Sequence, residues 1–243
     1  MNHSPTICII PARGGSKRLP GKNIKDFLGK PLLAWTIETA KASGVFDRII
    51  LMTDDEKIAE VGKRYGAEVP FMEPEEFAQD NVYVAEPLKY TLKRLKEEEN
   101  FSPDFFVLLE PSCPGRLSKH IKEVVEIFKD SDADSIAAVS EIPARFNSAK
   151  SLKIFGENEL RHFSGTLIKD LTHQNQKIEK LYYINSAIYA FKTKNLFEEN
   201  NSLWGKKVIA YMMDPKYALD IDTFEDWENA EIKTKKLLEE KES

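Results

Sequence analysis

The feature that most constrains this chain is a short apolar run, Ile7-Cys8-Ile9-Ile10. It ends abruptly in Pro11-Ala12-Arg13-Gly14-Gly15-Ser16-Lys17-Arg18-Leu19-Pro20-Gly21-Lys22-Asn23. β-branched residues bounded by a breaker favour a buried strand over a helix, so the segment from Pro11 to Asn23 reads as a loop at a strand end. Its paired glycines permit tight turns and close approach of the backbone to a ligand. Arg13, Lys17, Arg18 and Lys22 add four fixed cations within ten positions. Forked guanidinium donors and ammonium point charges are what a polyphosphate requires, whereas a merely solvated basic loop has no need of paired glycines behind a first strand.

The rhythm downstream extends this strand into a fold class. Leu33, Ile37 and Ala40 fall at helical spacing before Gly44, and Ile49 to Thr53 predicts a second strand followed by a helix carrying Ile58, Val61 and Tyr65. Further strands are expected at Phe105 to Leu109, Ile136 to Val139, Ala187 to Phe191 and Lys207 to Tyr211. Helices are expected near Val84 to Glu98, Ile121 to Phe128 and from about Glu225 into the charged tail. Alternating strands and helices predict an α/β fold, a mostly parallel sheet covered on both faces. Ligands of such sheets gather beyond the carboxyl ends of strands, where the opening loop and the Thr53-Asp54-Asp55 turn both fall.

From Glu141 to Tyr182 the rhythm fails. Phe146, Phe155, Leu160, Phe163 and Leu167 are nevertheless too many large apolar groups for a segment that never packs. The expected organisation is a core of residues 1–140 and 183–243, with 141–182 an inserted arm or small subdomain that packs on a partner subunit.

The chain has 243 residues, enough for one large domain with an insertion. A net charge of −5 weighs against nucleic-acid binding, whose usual footprint is a positive surface field. The cations are concentrated locally instead, which suits a small anionic ligand. Cys8 and Cys113 form neither a metal cluster nor a disulfide framework, so a reducing, cytoplasmic setting is expected. Met1 to Pro5 lacks a basic region followed by an apolar stretch, and no run approaches about 18 apolar residues, so neither export nor membrane insertion is expected. His3, His120, His162 and His173 lack metal-ligand spacing, and Trp35, Trp204 and Trp227 read as packing residues.

Near the C-terminus stands Ala218-Leu219-Asp220-Ile221-Asp222-Thr223. If extended, it points Asp220 and Asp222 to one side and Ile221 to the other. Two carboxylates beside a triphosphate suit Mg²⁺, which takes one or two carboxylates together with phosphates and waters. The alternative is a helix cap, with Asp222 or Thr223 opening the last helix and Asp226 in its first turn.

The opening motif and its continuation, Asn23-Ile24-Lys25 and Leu28-Gly29-Lys30-Pro31-Leu32, closely resemble the sugar-activating cytidylyltransferases. This family includes the CMP-sialic acid synthetases (N-acylneuraminate cytidylyltransferases) and their 3-deoxy-octulosonate counterparts. Val45-Phe46-Asp47, Thr53-Asp54-Asp55, Tyr65-Gly66-Ala67 and Val69-Pro70-Phe71 extend the resemblance. It implies a three-layer, Rossmann-like nucleotidyltransferase core, a homodimer built through an inserted arm, CTP as co-substrate, and transfer of CMP to the anomeric hydroxyl of a 2-keto-3-deoxy sugar acid with release of pyrophosphate. It also implies that Arg13 and Lys22 contact phosphate, with Gly15 and Ser16 nearby. The same resemblance implies that Asn23 lines the nucleotide site, that backbone groups of Ala12 and Arg13 lie against the base, and that Asp220 and Asp222 hold Mg²⁺. The catalytic set implied is Arg13, Lys22, Asp220 and Asp222; a general base is not identifiable.

Two departures concern the sugar. The family's Gln-Pro-Thr-Ser-Pro-x-Arg is here Glu110-Pro111-Ser112-Cys113-Pro114-Gly115-Arg116, with Glu110, Ser112 and Arg116 at the substrate positions. An ionised Glu110 can only accept a hydrogen bond, which sets it against an anionic sugar. The family's Asn-Gly-Ala-Ile-Tyr is here Asn185-Ser186-Ala187-Ile188-Tyr189, with Asn185 and Ala187 as candidates. The Arg-Gln pair of sialate members upstream becomes His173-Gln174-Asn175-Gln176. Gln174 remains as a candidate, and Arg145, Lys150, Arg161 and Lys169 are possible carboxylate ligands. The sugar can therefore be a sialic, legionaminic or related nonulosonic acid. The alternatives are an 8-amino- or other octulosonate, a different nucleoside triphosphate, or an inactive nucleotide- or carbohydrate-binding protein of the same fold.

Overall fold

A computed structural model of the chain describes residues 5–79, 82–170, 179–198 and 202–242. Its elements in chain order are β1 (Ile7–Pro11), β2 (Asp26–Phe27), β3 (Lys30–Pro31), α1 (Leu32–Ser43), β4 (Arg48–Met52), α2 (Glu56–Tyr65), α3 (Ala85–Glu99) and β5 (Phe105–Leu108). They continue with α4 (Ser118–Asp130), β6 (Ser135–Glu141), β7 (Leu152–Phe155), β8 (Glu159–His162), β9 (Tyr182–Lys192), β10 (Val208–Met212) and α5 (Phe224–Glu242).

Six strands form one sheet in the order β10-β6-β9-β5-β1-β4. The expected strand at the apolar run is β1, and it pairs in parallel with β4 on one side and β5 on the other. β10 runs parallel to β6, but β9 is antiparallel to both of its neighbours. The sheet is thus mostly parallel, as expected, but mixed: β9 alone runs against the other five strands. The reason lies in the connection. The chain leaves the end of β6 at Glu141 and re-enters at Tyr182, directly opposite it. A parallel return needs a crossover to the other end of the sheet, and none intervenes.

Period-2 alternation along β1 divides the core. Cys8 and Ile10 pack with Ile49, Leu51 and Val107 against Leu33 and Ile37 of α1, Ile58 of α2 and Ile121 and Val124 of α4. Ile7 and Ile9 face the other way, with Ile50, Met52, Phe106 and Phe191 against Leu88, Leu92 and Leu95 of α3. A third cluster joins Leu19, Phe27 and Leu32 to Leu219, Ile221 and Trp227. There Phe27 meets Trp35 and Trp227 edge to face, with centroids 5.9 and 5.3 Å apart. This cluster matters for the site, because it pins the end of the opening loop and the Asp220-Ile221-Asp222 segment to the same patch of core.

β7 and β8 form a separate antiparallel hairpin. Its Ile154 is 63% exposed, and Leu152, Leu160, Phe163 and Leu167 are also exposed. Cys8 and Cys113 are buried free thiols. No helix among the described residues is long and apolar enough to cross a membrane.

Candidate active site

The opening loop is shaped by the residues after β4. Ala12 N donates to the Met52 carbonyl at 2.9 Å, and Gly14 N donates to Asp54 Oδ1 at 2.8 Å. Asp55 caps α2, accepting from Lys57 N and Ile58 N. A β-carbon on Gly14 would lie 2.9 Å from Asp55 Oδ2, so the close approach requires glycine. Gly21 has φ +67°, a left-handed conformation that turns the chain into Lys22–Ile24. Asn23 is buried; its Nδ2 donates to the Arg13 carbonyl at 3.2 Å, and its Oδ1 has no partner among the described residues.

The acidic segment arrives from the opposite end of the chain. Ile221 is fully buried in the third cluster and its N donates to the Ser112 carbonyl at 3.0 Å. Lys22 Nζ donates to the Ile221 carbonyl at 2.7 Å and reaches Asp222 Oδ1 at 3.2 Å. Arg18 pairs with Asp222 Oδ2 at 3.0 Å, and Ser112 Oγ donates to Asp220 Oδ1 at 2.8 Å. The cap of α5 is made without either aspartate side chain: Asp226 Oδ2 accepts from Thr223 N and Asp222 N, while Thr223 Oγ1 accepts from Asp226 N. Asp220 and Asp222 are therefore not consumed in ending a helix.

The opening loop, Ser112 and Asp222 surround a cavity of about 550 Å³ at the carboxyl ends of β1, β4 and β5. Ala12, Arg13, Ser16, Lys22 and Asn23 line one side, and Glu110, Ser112 and Asp222 another. Arg13 spans it, donating to the Ala78 carbonyl at 3.4 Å. Burial, and then the nearby Asp220 carboxylate, push Glu110 up to about 7 against the pull of Arg116 and Lys22. Asp220 is also raised, by burial first and further by Asp222, against the hydrogen bond from Ser112.

Other predicted positions serve differently. Gly15 belongs to the loop but not to the cavity wall. Asp220 and Asn185 line a second hollow of about 370 Å³. Arg116 is 2% exposed and lies beneath the floor, donating to the Ala187 carbonyl, to Thr36 Oγ1 at 2.7 Å and to the Glu110 carbonyl at 3.2 Å. Ala187 is itself fully buried, and Asn185 bonds Ser140 Oγ and Ala187 N. A substrate contact for the Arg116 or Ala187 side chain is thus corrected to a supporting role. Arg145 stands 4.7 Å from the Phe146 ring, and Arg161 pairs with Glu159; neither lines the cavity. Gln174, His3 and His173 lie outside the described residues.

One whole wall has no counterpart among the positions expected from sequence. Glu73, Phe77 and Gln79, in the stretch between α2 and α3, line the cavity beside Arg13. Burial and the neighbouring Asp54 push Glu73 up to about 7, opposed by Arg13. A long connection at the carboxyl end of a sheet was the available signal.

The donor set fits Mg²⁺. Asp222 adds to the cost of ionising the buried Asp220, and a hard cation removes that repulsion. Among the described residues no group of three or more His, Cys, Asp and Glu side chains is placed to hold a metal, so further ligands must come from elsewhere. Phosphate oxygens and waters are the usual supplement for Mg²⁺.

A mixed α/β sheet with a cationic, glycine-bearing loop and paired aspartates at its carboxyl edge defines a nucleotidyltransferase-like protein. A solved CMP:2-keto-3-deoxy-manno-octonic acid synthetase complexed with CTP shares this fold with a TM-score of 0.68 at 18% identity, over 96% of this chain and 99% of that one. The model of the family described as Cytidylyltransferase matches residues 7–242. The chain is 32% identical over 226 residues to a pseudaminic acid cytidylyltransferase of Campylobacter jejuni, covering 93% of this chain and 94% of that protein. It is 33% identical over 238 residues to a CMP-N,N'-diacetyllegionaminic acid synthase of Legionella pneumophila, covering 96% of each. An N-acylneuraminate cytidylyltransferase of Streptococcus agalactiae is 33% identical over 91% of this chain, but only 51% of that longer protein is covered. The chain belongs to the cytidylyltransferase family, among the enzymes that form CMP-sugars of the nonulosonate type.

Proposed function

We propose that this enzyme transfers CMP from CTP to the anomeric hydroxyl of a nonulosonic acid and releases pyrophosphate. The observation that carries the reading is the meeting of Lys22 with Asp222 at the rim of the cavity lined by Arg13, Ser16 and Asn23. The relatives named for pseudaminic and diacetyllegionaminic acids, matched over nearly their whole lengths, support a nonulosonic substrate over an octulosonate.

In this reading the triphosphate lies along the opening loop. Lys22 and Arg13 bring positive charge to the α-phosphoryl and leaving oxygens, where negative charge grows as the sugar hydroxyl attacks phosphorus and pyrophosphate departs. Charge placed in advance favours the transition state over the ground state. Asp220 and Asp222 would hold Mg²⁺, which when bound neutralises phosphate charge. Glu110 and Ser112 mark the side toward the sugar.

We further infer that residues 141–182 act as an arm of a core formed by 1–140 and 183–243, and that the arm packs on a second copy of the chain. The exposed Leu152, Ile154, Leu160 and Leu167 support this. Light scattering should give a dimer mass that Ile154→Asp reduces to a monomer mass; a wild-type monomer would refute it.

The transfer is tested by pyrophosphate release with CTP and Mg²⁺ against a panel of nonulosonic and octulosonic acids, each product checked by mass. Release with a nonulosonic acid, lost in Asp220→Asn, supports the reading. Turnover only with an octulosonate, or with UTP in place of CTP, overturns it.

A further inference from the structure

The active cavity rests on two separate patches of core. Leu19 and Ile221, which anchor the cationic loop and the acidic segment, belong to the cluster around Phe27 and Trp227. Met52 belongs to the cluster of Phe106 and Leu88, against which Phe71 and Val84 also pack. The cavity therefore has two unlike ends. Arg18, Lys22 and Asp222 line the first. Met52, Phe77 and Val84 line the second. Cations suit a triphosphate, whereas apolar and aromatic walls with a few placed polar groups suit a flat ring.

The second end is braced from α3. Phe77 lies 5.2 Å from the Tyr90 ring, and Tyr90 meets Phe71 edge to face at 5.9 Å. Arg94 donates to the Tyr90 hydroxyl at 3.0 Å, sits 4.1 Å over the Phe71 ring and pairs with Glu98. Glu73 stands in the same wall. Its N donates to the Thr53 carbonyl at 2.8 Å, which ties it to the turn where Asp54 accepts from Gly14 N of the opening loop.

Among the described residues that line the cavity between α2 and α3, only Glu73 and Gln79 carry polar side chains. Their chemistries differ. A primary amide holds both donors and an acceptor and can turn either toward a base, whereas an ionised carboxylate only accepts. Beside a polyanion a carboxylate is misplaced unless it faces the part of the nucleotide that carries donors. Cytosine offers its exocyclic 4-amino group as a donor, where a 4-carbonyl base offers only an acceptor.

We propose that Glu73 is a specificity-determining residue: its carboxylate accepts a hydrogen bond from the 4-amino group of a cytosine ring seated against Phe77, and so selects CTP over UTP. The inference rests on the reading of CTP as co-substrate and names the side chain that tells it from UTP. With UTP bound, the O4 carbonyl would face the carboxylate with no proton between them. A site built to pair one polar group rejects an analogue that leaves its own group unpaired.

Equilibrium binding tests this without the transfer step. CTP, UTP, deoxycytidine triphosphate and the 2-pyrimidinone riboside triphosphate, whose ring lacks the 4-substituent, are titrated calorimetrically into the full chain with Mg²⁺ and without sugar acid. The titrations are run at pH 8, above the value of about 7 to which burial first and Asp54 second raise Glu73. Wild type is expected to bind CTP about 10- to 100-fold more tightly than UTP or the pyrimidinone analogue, the range of one hydrogen bond to a charged group. Glu73→Gln, whose amide can also donate to O4, is expected to lower the CTP-to-UTP preference about 10-fold. Glu73→Ala is expected to weaken CTP toward the affinity of UTP. A preference unchanged in both variants overturns the assignment, as does a wild type that binds CTP and UTP equally. Variants that alter the ratio of CTP to deoxycytidine triphosphate instead would move Glu73 to the ribose hydroxyls and overturn it too. Pyrophosphate release by the same wild-type preparation decides separately whether the transfer reading stands: selective CTP binding without release keeps the role of Glu73 and loses the transfer.

Discussion

Lys22 and Asp222 meet across 200 positions of sequence, with Nζ 3.2 Å from Oδ1 and a second bond, 2.7 Å long, to the carbonyl of Ile221. The ammonium is thus aimed by backbone as well as by charge. It is held at the edge of the cavity that its own loop lines, and does not wander as a surface lysine would.

Replacing Lys22 by Met should separate this aim from stability. Removal of one prearranged transition-state donor commonly costs about 10²- to 10³-fold in rate, and that loss is expected in kcat/KM for CTP. Asp222 is 41% exposed, and such pairs contribute about 0–1 kcal/mol. The melting temperature should therefore move by no more than about 4 °C. Steady-state pyrophosphate release and thermal melts check both; a large fall in melting temperature would recast Lys22 as mainly structural.

Asp220→Asn should show the opposite trade. The carboxylate is raised by burial and by Asp222, so its ionised form is held at a cost that the apo protein does not recover. The amide can still accept from Ser112. Turnover should fall by at least about 100-fold, on the order of one lost electrostatic group, while the apo melting temperature stays equal or rises. A drop in apo stability would mean that the hydrogen bond from Ser112 to the carboxylate outweighs the repulsion.

Arg116→Met tests the floor. The guanidinium is 2% exposed and donates to three oxygens, on Ala187, Thr36 and Glu110. Hydrogen bonds from charged groups carry about 1.5–3 kcal/mol each, and acceptors stranded in the interior add to the loss. Part of this is offset because burial of the cation is itself unfavourable and pulls its pKa down. A net destabilisation of about 2–5 kcal/mol is expected in urea unfolding. Arg116→Lys should rescue little, since one ammonium cannot reproduce a planar fork. A variant of wild-type stability with only a raised KM for sugar acid would restore Arg116 to the substrate site.

Much of the site could be read from local pattern. Ile7 to Ile10 announces a strand, the cations behind it announce an anion site, and period-2 spacing places Asp220 and Asp222 opposite the buried Ile221. The helix-cap alternative was settled only by Thr223 and Asp226, because capping depends on rotamers that spacing does not specify. The direction of β9 was not legible, since it depends on which end of β6 the chain returns to. Glu73, Phe77 and Gln79 carry no periodicity, so nothing local marks them as a cavity wall. Arg116 misled for a related reason: a cation beside a ligand loop looks the same in sequence whether its fork points at substrate or at the protein's own carbonyls.

The wall that sequence pattern left unmarked also carries a pH signature. Glu73 is pushed from 4.5 up to about 7, by burial first and by Asp54 second, against Arg13. Between those values the unfolded chain has released the proton and the folded chain keeps it. The unfolded state therefore binds fewer protons, and stability must fall as pH rises through the window. Below about 4.5 and above about 7 this group contributes no slope. Glu110 acts in the same sense over the same window, so Glu73→Gln should remove only part of the fall, and Glu73→Gln with Glu110→Gln more of it. The measurement is the melting temperature of the apo chain from pH 4 to pH 8, read as the difference between variant and wild type, which cancels the slopes of all other groups. The difference should grow across the window and level off near neutrality. A difference that stays flat would place the Glu73 carboxyl in water, and the inner wall beside Arg13 would then be open to solvent in the absence of nucleotide.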